Sequence, residues 1–362
     1  MATNYKQLTS LTSGSQYQYR VTAIGDGTTY TDSEPSSIAS FTTLIPLATP
    51  TNLALSKTTT SITATWTAVA NATGYVVAYA TANGSWAESE VAAATFTLSG
   101  ISSGATYDFK VKAIAPNSAY EASDYCAVVS ATTLIKLATP SPTISKTTSS
   151  ITCSWSAVAN AESYTVAYKT SGGNYQETTT SSTSYTVDNI EEGAVYTFKV
   201  MATTTNAAYE NSEYSAEVSD AAQITLGTPA PSLTKTTSSI TATWTAIPHA
   251  TGYVVAYKTG AGSYTEVSVN DTTYTLSSLS SGATYTFKVK AVGDGDDYVD
   301  SPYCSERSAT TLIPLSAPED VAVDQITSTS ARVSWSTVAN AIGYKVQYRA
   351  SGESEWQEVT LS

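Results

Sequence analysis

Hydrophobic and polar residues alternate along most of this chain with a period of two. Ile62, Ala64 and Trp66 fall on one side of an extended segment, and the threonines between them fall on the other. Tyr75 and Val77 continue the pattern in the next segment. Alternation over five to eight residues is typical of β-strands with one buried and one solvated face. Turn residues separate these segments and no long stretch has a helical period, so the pattern predicts an all-β protein.

Four sequence markers recur together at nearly constant spacing. Tryptophans 89, 89 and 91 residues apart are each followed, nine residues later, by a tyrosine. The tryptophans are Trp66, Trp155, Trp244 and Trp335. A Gly-x-x-Tyr marker ends at Tyr17, Tyr107, Tyr196 and Tyr285, and a linker proline recurs at Pro50, Pro140, Pro229 and Pro318. Such repetition predicts modules of about seven short strands, packed as two sheets over one core.

The order of these markers resembles that of fibronectin type III domains, particularly those of bacterial surface and secreted proteins. In the third repeat the markers are Trp244, Tyr253-Val254-Val255-Ala256-Tyr257, Leu279 and Gly282-Ala283-Thr284-Tyr285. The resemblance implies tandem immunoglobulin-like, seven-stranded β-sandwiches in an elongated array. It also implies that the four recurring tryptophans and the four Gly-x-x-Tyr tyrosines are structural core residues. Tyr285 would then be a tyrosine corner, whose hydroxyl bonds to nearby backbone.

The markers divide the chain into modules joined by short linkers. We expect three whole modules at 46–135, 136–225 and 226–313, the C-terminal half of a module at 1–45 and the N-terminal half at 314–362. Linkers such as Thr43–Pro50 contain no Gly/Ser spacer, and their prolines fix φ. The sequence therefore predicts stiff joints.

The two half-modules add up to one module. Val267 to Tyr274 spans seven residues in the third repeat, and Val359 to Tyr5, counted across the two ends, spans eight. A half sandwich leaves its apolar face in water, at a cost on the order of ten kcal/mol. Three outcomes stay open. The halves of neighbouring molecules could complete each other head-to-tail as a homo-oligomeric filament, one molecule could close on itself, or the sequence could be a window of a longer repeat protein.

The composition limits the kinds of partner that the chain could bind. Seventeen bases against thirty acids give a net charge of −13, which disfavours binding to nucleic acid or to anionic lipid surfaces. No run of 18 apolar residues occurs, so membrane insertion is not expected. The N-terminal residues have no signal-peptide pattern. An extracellular or cell-surface location is implied only by the family resemblance.

Residues that could carry chemistry are scarce. The one histidine, His249, occupies a turn position that holds Asn71, Asn160 and Asn340 in the other repeats. No catalytic triad, cofactor motif or paired-cysteine metal set is present, so neither enzymatic activity nor a cofactor is expected. Cys153 lies two residues before Trp155 and is predicted to be a core thiol.

Two features have both a functional and a structural interpretation. The carboxylates of Asp294, Asp296 and Asp297 on a glycine-bent loop are weak candidates for a Ca²⁺ site, or else form a solvated turn. Aromatic residues that each precede a glutamate by two positions are predicted to face outward. They could stack on sugars or pack across strands. These aromatic residues are Trp86, Tyr175, Tyr264 and Trp356.

The sequence thus predicts a non-catalytic structural repeat protein, an extracellular bacterial surface fibre, stalk or filament subunit. The alternative is an adhesin, or a carbohydrate-binding or spacer array within a larger secreted enzyme or surface protein. Carbohydrate or another surface protein would then be the partner.

Overall fold

The structure is a computed structural model that describes residues 4–81 and 84–362. Throughout these residues the secondary structure consists of strands and turns, with no helix. The chain divides into two compact units. The first contains residues 1–145, 152–186 and 196–220, and the second contains residues 146–151, 187–195 and 221–362.

The first unit begins with half a module and then contains a complete one. The half-module supplies β1 (Gln16–Tyr19) and β2 (Ala39–Thr42), which pair antiparallel, and β3 (Ile45–Pro46) follows as a linker strand. The complete module contains β4 (Ala54–Lys57), β5 (Ser61–Thr65), β6 (Gly74–Thr81), β7 (Ala87–Val91), β8 (Thr95–Ser99), β9 (Thr106–Ile114), β10 (Tyr120–Glu121) and β11 (Val129–Thr132). Its sheets have the strand orders β4-β5-β8 and β11-β9-β6-β7.

The period-two pattern places one face of each sheet in the module's core. Ile62 and Ala64 of β5 are fully buried, as is Val77 of β6. Val77 lies opposite Val111 of β9 in the antiparallel register, and Trp66 meets Tyr75 edge-on, with ring centroids 5.2 Å apart. The predicted seven-stranded sandwich is confirmed, because the alternation that marks the strands also selects the buried side chains.

The same strand pattern continues along the chain. The middle repeat contains β12 (Ile135–Lys136), β13 (Thr143–Lys146), β14 (Ser150–Ser154), β15 (Ser163–Thr170), β16 (Gln176–Thr180), β17 (Ser184–Asp188), β18 (Val195–Thr203), β19 (Tyr209–Glu210) and β20 (Val218–Ala221). Its four-stranded sheet has the order β16-β15-β18-β20.

The second unit contains the third complete module and the C-terminal half-module. Their strands are β21 (Ile224–Thr225), β22 (Ser232–Lys235), β23 (Ile240–Thr243), β24 (Gly252–Thr259), β25 (Thr265–Val269), β26 (Thr273–Leu276), β27 (Thr284–Val292), β28 (Tyr298–Val299), β29 (Arg307–Thr310), β30 (Ala322–Asp324), β31 (Arg332–Ser334), β32 (Tyr344–Tyr348) and β33 (Gln357–Leu361). The complete module repeats the orders β22-β23-β26 and β25-β24-β27-β29. In the half-module β30 pairs with β31 and β32 pairs with β33.

The predicted core residues divide into two groups by depth. Trp66, Trp155 and Trp244 are buried, whereas Trp335 in the half-module is half-buried. The Gly-x-x-Tyr tyrosines are half-buried at the core margin. These are Tyr17, Tyr107, Tyr196 and Tyr285.

The tyrosine-corner assignment needs correction. Tyr17 accepts a bond from the backbone N–H of Thr12 at 2.8 Å, but within the described residues Tyr285 makes no such bond. In that module the accepting hydroxyl belongs to Tyr253, which takes the N–H of Ile247 at 2.9 Å. Equivalent bonds reach Tyr75, Tyr164 and Tyr344. The tyrosine that follows each recurring tryptophan by nine residues therefore stabilises the turn between their two strands.

Candidate functional surfaces

The outward aromatic residues belong to a ladder of side chains on the outer face of each four-stranded sheet. In the first module the Lys110 ammonium lies 4.2 Å from the ring centroid of Trp86 and 4.7 Å from that of Tyr125. Tyr125 donates to a carboxylate oxygen of Glu88 at 2.7 Å. Burial and, secondarily, this carboxylate raise the pKa of the Tyr125 hydroxyl. We call Trp86, Glu88, Lys110 and Tyr125 the outer ladder.

The outer ladder recurs with other residues in the same places. Lys199 lies 4.3 Å from the Tyr175 centroid, and Lys288 lies 4.1 Å from the Tyr264 centroid. In the half-module the guanidinium of Arg349 lies 4.4 Å from the Trp356 centroid. A cation over a ring face stabilises the sheet by about 0.5–1 kcal/mol at an exposed site, and it occupies the surface on which a sugar would stack. The geometry therefore favours cross-strand packing, although Trp86 and Trp356 keep 40% and 54% of their surface exposed.

The acidic loop of the third module is held by its own backbone and by a lysine. One oxygen of Asp294 accepts the N–H groups of Asp296 and Tyr298, both at 2.9 Å. These amides, led by that of Tyr298, lower the pKa of Asp294. The Lys146 ammonium lies 3.4 Å from Asp296 and 2.6 Å from Asp297. No set of three or more His, Cys, Asp or Glu side chains is placed to hold a metal in residues 4–81 and 84–362.

The histidine is a turn residue, as predicted. His249 has a φ of +66°, and Asn71, Asn160 and Asn340 have φ values of +64°, +63° and +66°. This left-handed conformation favours asparagine among non-glycine residues. The imidazole stacks on Tyr298, with ring centroids 4.3 Å apart.

The three cysteines have structural roles. Cys153 is buried, and burial raises the pKa of its thiol to about 12. The sulfur of Cys126 accepts the N–H of Val111 at 3.3 Å, and that of Cys304 accepts the N–H of Val289 at 3.2 Å. Serine hydroxyls make the equivalent bonds at Ser36 and Ser215. Sequence reasoning missed this role, although the equivalent positions of serine and cysteine in the repeats could have indicated it.

The joints between modules are built by the linker strands β3, β12 and β21. Each pairs in parallel with a two-residue strand of the module that follows, β10, β19 and β28 respectively. At the middle joint the N–H of Ile135 donates to Ala208 O at 3.0 Å, and the N–H of Leu137 donates to Glu210 O at 2.9 Å. The leucine two residues after the isoleucine of each of these three strands is buried. These leucines are Leu47, Leu137 and Leu226.

Each linker isoleucine also packs on the preceding module. Gly104 has a φ of +71°, and a Cβ added there would lie 3.3 Å from Ile135. Gly14, Gly193 and Gly282 show the same close approach to Ile45, Ile224 and Ile313. The Gly-x-x-Tyr glycine therefore does two things, since it permits the left-handed turn and leaves room for the linker.

Side chains add further contacts at two joints. Lys136 forms an ion pair with Glu213. The carboxylate of Glu192 accepts the N–H and the hydroxyl of Thr225 at 2.9 and 2.7 Å, and these bonds, the N–H first, lower its pKa. The Gln223 amide donates to Asp296 O at 2.8 Å. The acidic loop thus belongs to a joint, which sequence reasoning did not predict because its partners are 72 or more residues away in the chain.

Each half-module presents an open apolar face. Residues of β31, β32 and β33 in the C-terminal half line a cavity of about 600 Å³. In the N-terminal half a cavity of about 680 Å³ is lined by residues that include Tyr5, Leu8, Tyr19, Val21 and Phe41. The counterparts of Trp335, Val346, Tyr19 and Val21 in the complete modules are buried core residues.

Comparison with known proteins agrees with this architecture. The fibronectin type III domain family matches residues 48–128 and 229–302, and the PBP1-like, fibronectin3-like domain family matches residues 144–213. One match thus falls in each of the three complete modules. The chain belongs to the fibronectin type III family. Its complete modules are tandem fibronectin type III domains.

Similar proteins differ widely in kind. Human Neogenin is 29% identical over 192 residues, 49% of this chain and 13% of that protein. Chitinase A1 of Niallia circulans is 32% identical over 152 residues, 40% of this chain and 22% of that protein. Mouse Fibronectin type III domain-containing protein 7 is 27% identical over 295 residues, 79% of this chain and 37% of that protein. The chain therefore spans a minor part of the length of these relatives.

A solved structure of chicken CNTN1 FN1–FN3 domains is 15% identical to this chain. It covers 74% of this chain and 99% of that one, with a TM-score of 0.34. Residues 4–81 and 84–362 contain no helix of the length and apolar character needed to cross a membrane.

Proposed function

We propose that this chain is a non-catalytic structural spacer, a segment of an extracellular or cell-surface stalk or fibre in a bacterium. The observation that carries the proposal is the joint between consecutive domains. The same joint occurs three times, at Ile45, Ile135 and Ile224. A repeated, specific contact between neighbours is what a spacer needs in order to hold its length.

The joint has enough contacts to resist bending. Two backbone hydrogen bonds contribute about 0.5–1.5 kcal/mol each, and burial of one leucine contributes about 1.5–3 kcal/mol. The isoleucine contacts the preceding domain while its backbone pairs with the following one. A flexible Gly/Ser linker would supply none of these contacts.

The non-catalytic role is supported by the structural roles of the residues that could otherwise carry chemistry. His249 occupies a turn, and the buried thiol of Cys153 stays protonated at neutral pH. The acidic loop stabilises a joint through Lys146. Both matching families describe fibronectin type III-like domains, a fold that typically spaces or presents other sites.

The stiffness of the joint is testable by single-molecule fluorescence transfer. One dye is placed at Lys57→Cys and the other at Ser182→Cys, with the native cysteines replaced. Wild-type linkers are expected to give one narrow distance distribution. Replacing residues 135–137 by Gly-Ser-Gly should broaden it, because the two backbone bonds and the leucine contact are lost.

Residues 313–315 provide the matched control. The same Gly-Ser-Gly replacement there should leave the distribution unchanged, because these residues do not lie between the two dyes. A broad distribution in the wild-type chain would contradict the spacer function.

A second candidate is a carbohydrate-binding array that accompanies a catalytic region elsewhere. The exposure of Trp86 and Trp356 and the similarity to part of a chitinase favour it. Sedimentation with insoluble chitin is the test. Binding that is lost in Trp86→Ala and Trp356→Ala but kept in Val128→Ala would support this candidate, and no binding by the wild-type chain would remove it.

A further inference from the structure

We propose that the outer sheet face of the first complete domain binds one sugar ring of a neutral polysaccharide, stacked on the indole ring of Trp86. This inference rests on the second candidate function, because it assigns the site through which a carbohydrate-binding array would act. It also confines that site to one of the three complete domains.

In the third domain, two cations and a carboxylate cover the equivalent aromatic ring. The ammonium groups of Lys258 and Lys288 lie 4.5 and 4.1 Å from the ring centroid of Tyr264. The Tyr264 hydroxyl donates to a carboxylate oxygen of Glu306, and the Lys258 ammonium lies 3.5 Å from the same oxygen. Tyr264 is half-buried, so its ring offers little surface to a ligand.

The second domain covers its ring with the same kinds of side chain. The ammonium groups of Lys169 and Lys199 lie 4.4 and 4.3 Å from the ring centroid of Tyr175. Glu217 occupies the sequence position that corresponds to Glu306. Tyr175 is half-buried as well, so neither of these two domains presents an open aromatic platform.

Two replacements uncover the ring of the first domain. Ala80 stands in the place of Lys258, and Val128 stands in the place of Glu306. Neither alanine nor valine carries a charge, so the ammonium–carboxylate pair that covers the ring in the third domain cannot form here. Trp86 keeps 40% of its surface exposed and Val128 keeps 50%. The first domain therefore presents an indole ring beside an apolar side chain.

The size of this surface fits a sugar ring better than a protein partner. An aromatic side chain buries about 150–250 Å² when it is fully covered. The exposed 40% of Trp86 therefore amounts to on the order of 100 Å², whereas a stable protein interface needs about 800 Å² on each partner. The C–H face of one pyranose ring is similar in size to an indole, and aromatic side chains with a few polar neighbours are typical of small-ligand sites.

A carboxylate specific to this domain lies on the same sheet face. Asp108 lies opposite Ala80 on one side and opposite Ser130 on the other, and it comes two residues before Lys110 of the outer ladder. The Ser130 hydroxyl donates to one oxygen of Asp108 at 2.5 Å. The third domain has the neutral Thr286 at this position. A carboxylate accepts charge-assisted hydrogen bonds from hydroxyl groups, so Asp108 can orient a sugar that stacks on the ring.

The charge of the chain determines which polysaccharides fit this site. The chain carries a net charge of −13, and the carboxylates of Glu88 and Asp108 belong to the proposed face. A polyanionic polysaccharide would be repelled by this field. A neutral polymer meets no such repulsion, and its hydroxyl groups are the donors that Asp108 requires.

Sedimentation of the 362-residue chain with microcrystalline cellulose and with insoluble chitin tests the proposal. The wild-type chain is expected to bind at least one of these polymers. The triple variant Ala80→Lys/Trp86→Tyr/Val128→Glu installs the covering residues of the third domain, so it should keep the fold and lose binding. Asp108→Thr should weaken binding about tenfold, because one charge-assisted hydrogen bond is lost. Thermal unfolding monitored by circular dichroism checks the fold of each variant.

The third domain provides the matched converse experiment. The triple variant should regain binding when the third domain receives the four residues of the first, through Lys258→Ala, Tyr264→Trp, Thr286→Asp and Glu306→Val. A folded converse variant that stays unbound would overturn the inference.

Two further outcomes separate this inference from the function on which it rests. Binding that persists in the triple variant would overturn the inference alone, since the carbohydrate site would then lie elsewhere in the chain. A wild-type chain that binds neither polymer would overturn both the inference and the second candidate function. The fluorescence test of the joint is independent of all these results.

Discussion

At the scale of single residues, the repeats show which chemistry each position requires. The amide of the long strand β9 or β27 needs an acceptor from the following loop, and either a thiol or a hydroxyl supplies it. Cys126 and Cys304 fill this place in two domains, and Ser215 fills it in another. Sequence alone did not indicate this role, since a hydrogen bond from a strand 15 residues away has no local signature.

This interpretation predicts different effects of two substitutions at one position. Cys304→Ser should leave the stability of residues 226–313 nearly unchanged, because serine makes the same bond at Ser215. Cys304→Ala leaves the buried Val289 amide without an acceptor and should cost about 1–3 kcal/mol. Urea unfolding of both variants measures the difference. Equal stability of the two variants would show that the bond contributes nothing.

At the scale of elements, the linker strands are the parts whose structure depends most on distant residues. The stiffness of the linkers was predicted from their prolines and the absence of Gly/Ser spacers. The structure supplies a further reason to expect stiffness, since each linker strand pairs in parallel with residues 74 or 75 positions further along. No local pattern could reveal that pairing, because two-residue strands are too short to show periodicity.

The pairing predicts slow amide exchange at three of the four linkers. Deuterium uptake should be slow at Ile45, Ile135 and Ile224, whose N–H groups bond to the next domain. Uptake at Ile313 should be faster, because no strand pairs with that linker within residues 4–81 and 84–362. Mass spectrometry of peptides covering the linkers makes the comparison. Fast exchange at Ile135 would contradict the joint geometry.

The joint at Thr225 should also depend on pH. Because the bonds from Thr225 lower the pKa of Glu192 below its usual value of 4.5, the carboxylate form is favoured in the folded joint. Its contribution is complete above the unfolded-state pKa and is lost as the pH falls through the lowered folded-state pKa.

The Thr225 amide resonance in NMR spectra should therefore titrate with a midpoint below 4.5. Glu192→Gln should abolish the titration while other amides keep theirs. A midpoint at or above the usual glutamate value would refute the assigned bond.

At the scale of the whole molecule, the first and third complete domains each have a core of their own. The first core contains Phe109 and Val111, and the core of the third domain contains Phe287 and Val289. Separate cores allow local destabilisation, in contrast to a single merged interior.

Truncation of one core phenylalanine should therefore destabilise one domain. Phe109→Ala is expected to lower the stability of residues 46–135 by about 3–5 kcal/mol, the usual cost of a large cavity. Hydrogen exchange should accelerate in that domain and stay unchanged in residues 226–313. Accelerated exchange in both domains would show that their unfolding is coupled.

By itself, the sequence determined the strands, their buried faces and the repeating domain, because these depend on period-two patterning and on markers spaced about ninety residues apart. It also placed His249 in a turn, since three asparagines share its position. Only the tertiary structure decided what the loops and linkers do. The acidic loop forms ion pairs with Lys146 of the preceding domain. Each linker strand pairs with the next domain, and cations lie over the outward aromatic rings. These contacts join residues of different strands or loops, and the side-chain pattern along one strand does not identify such partners.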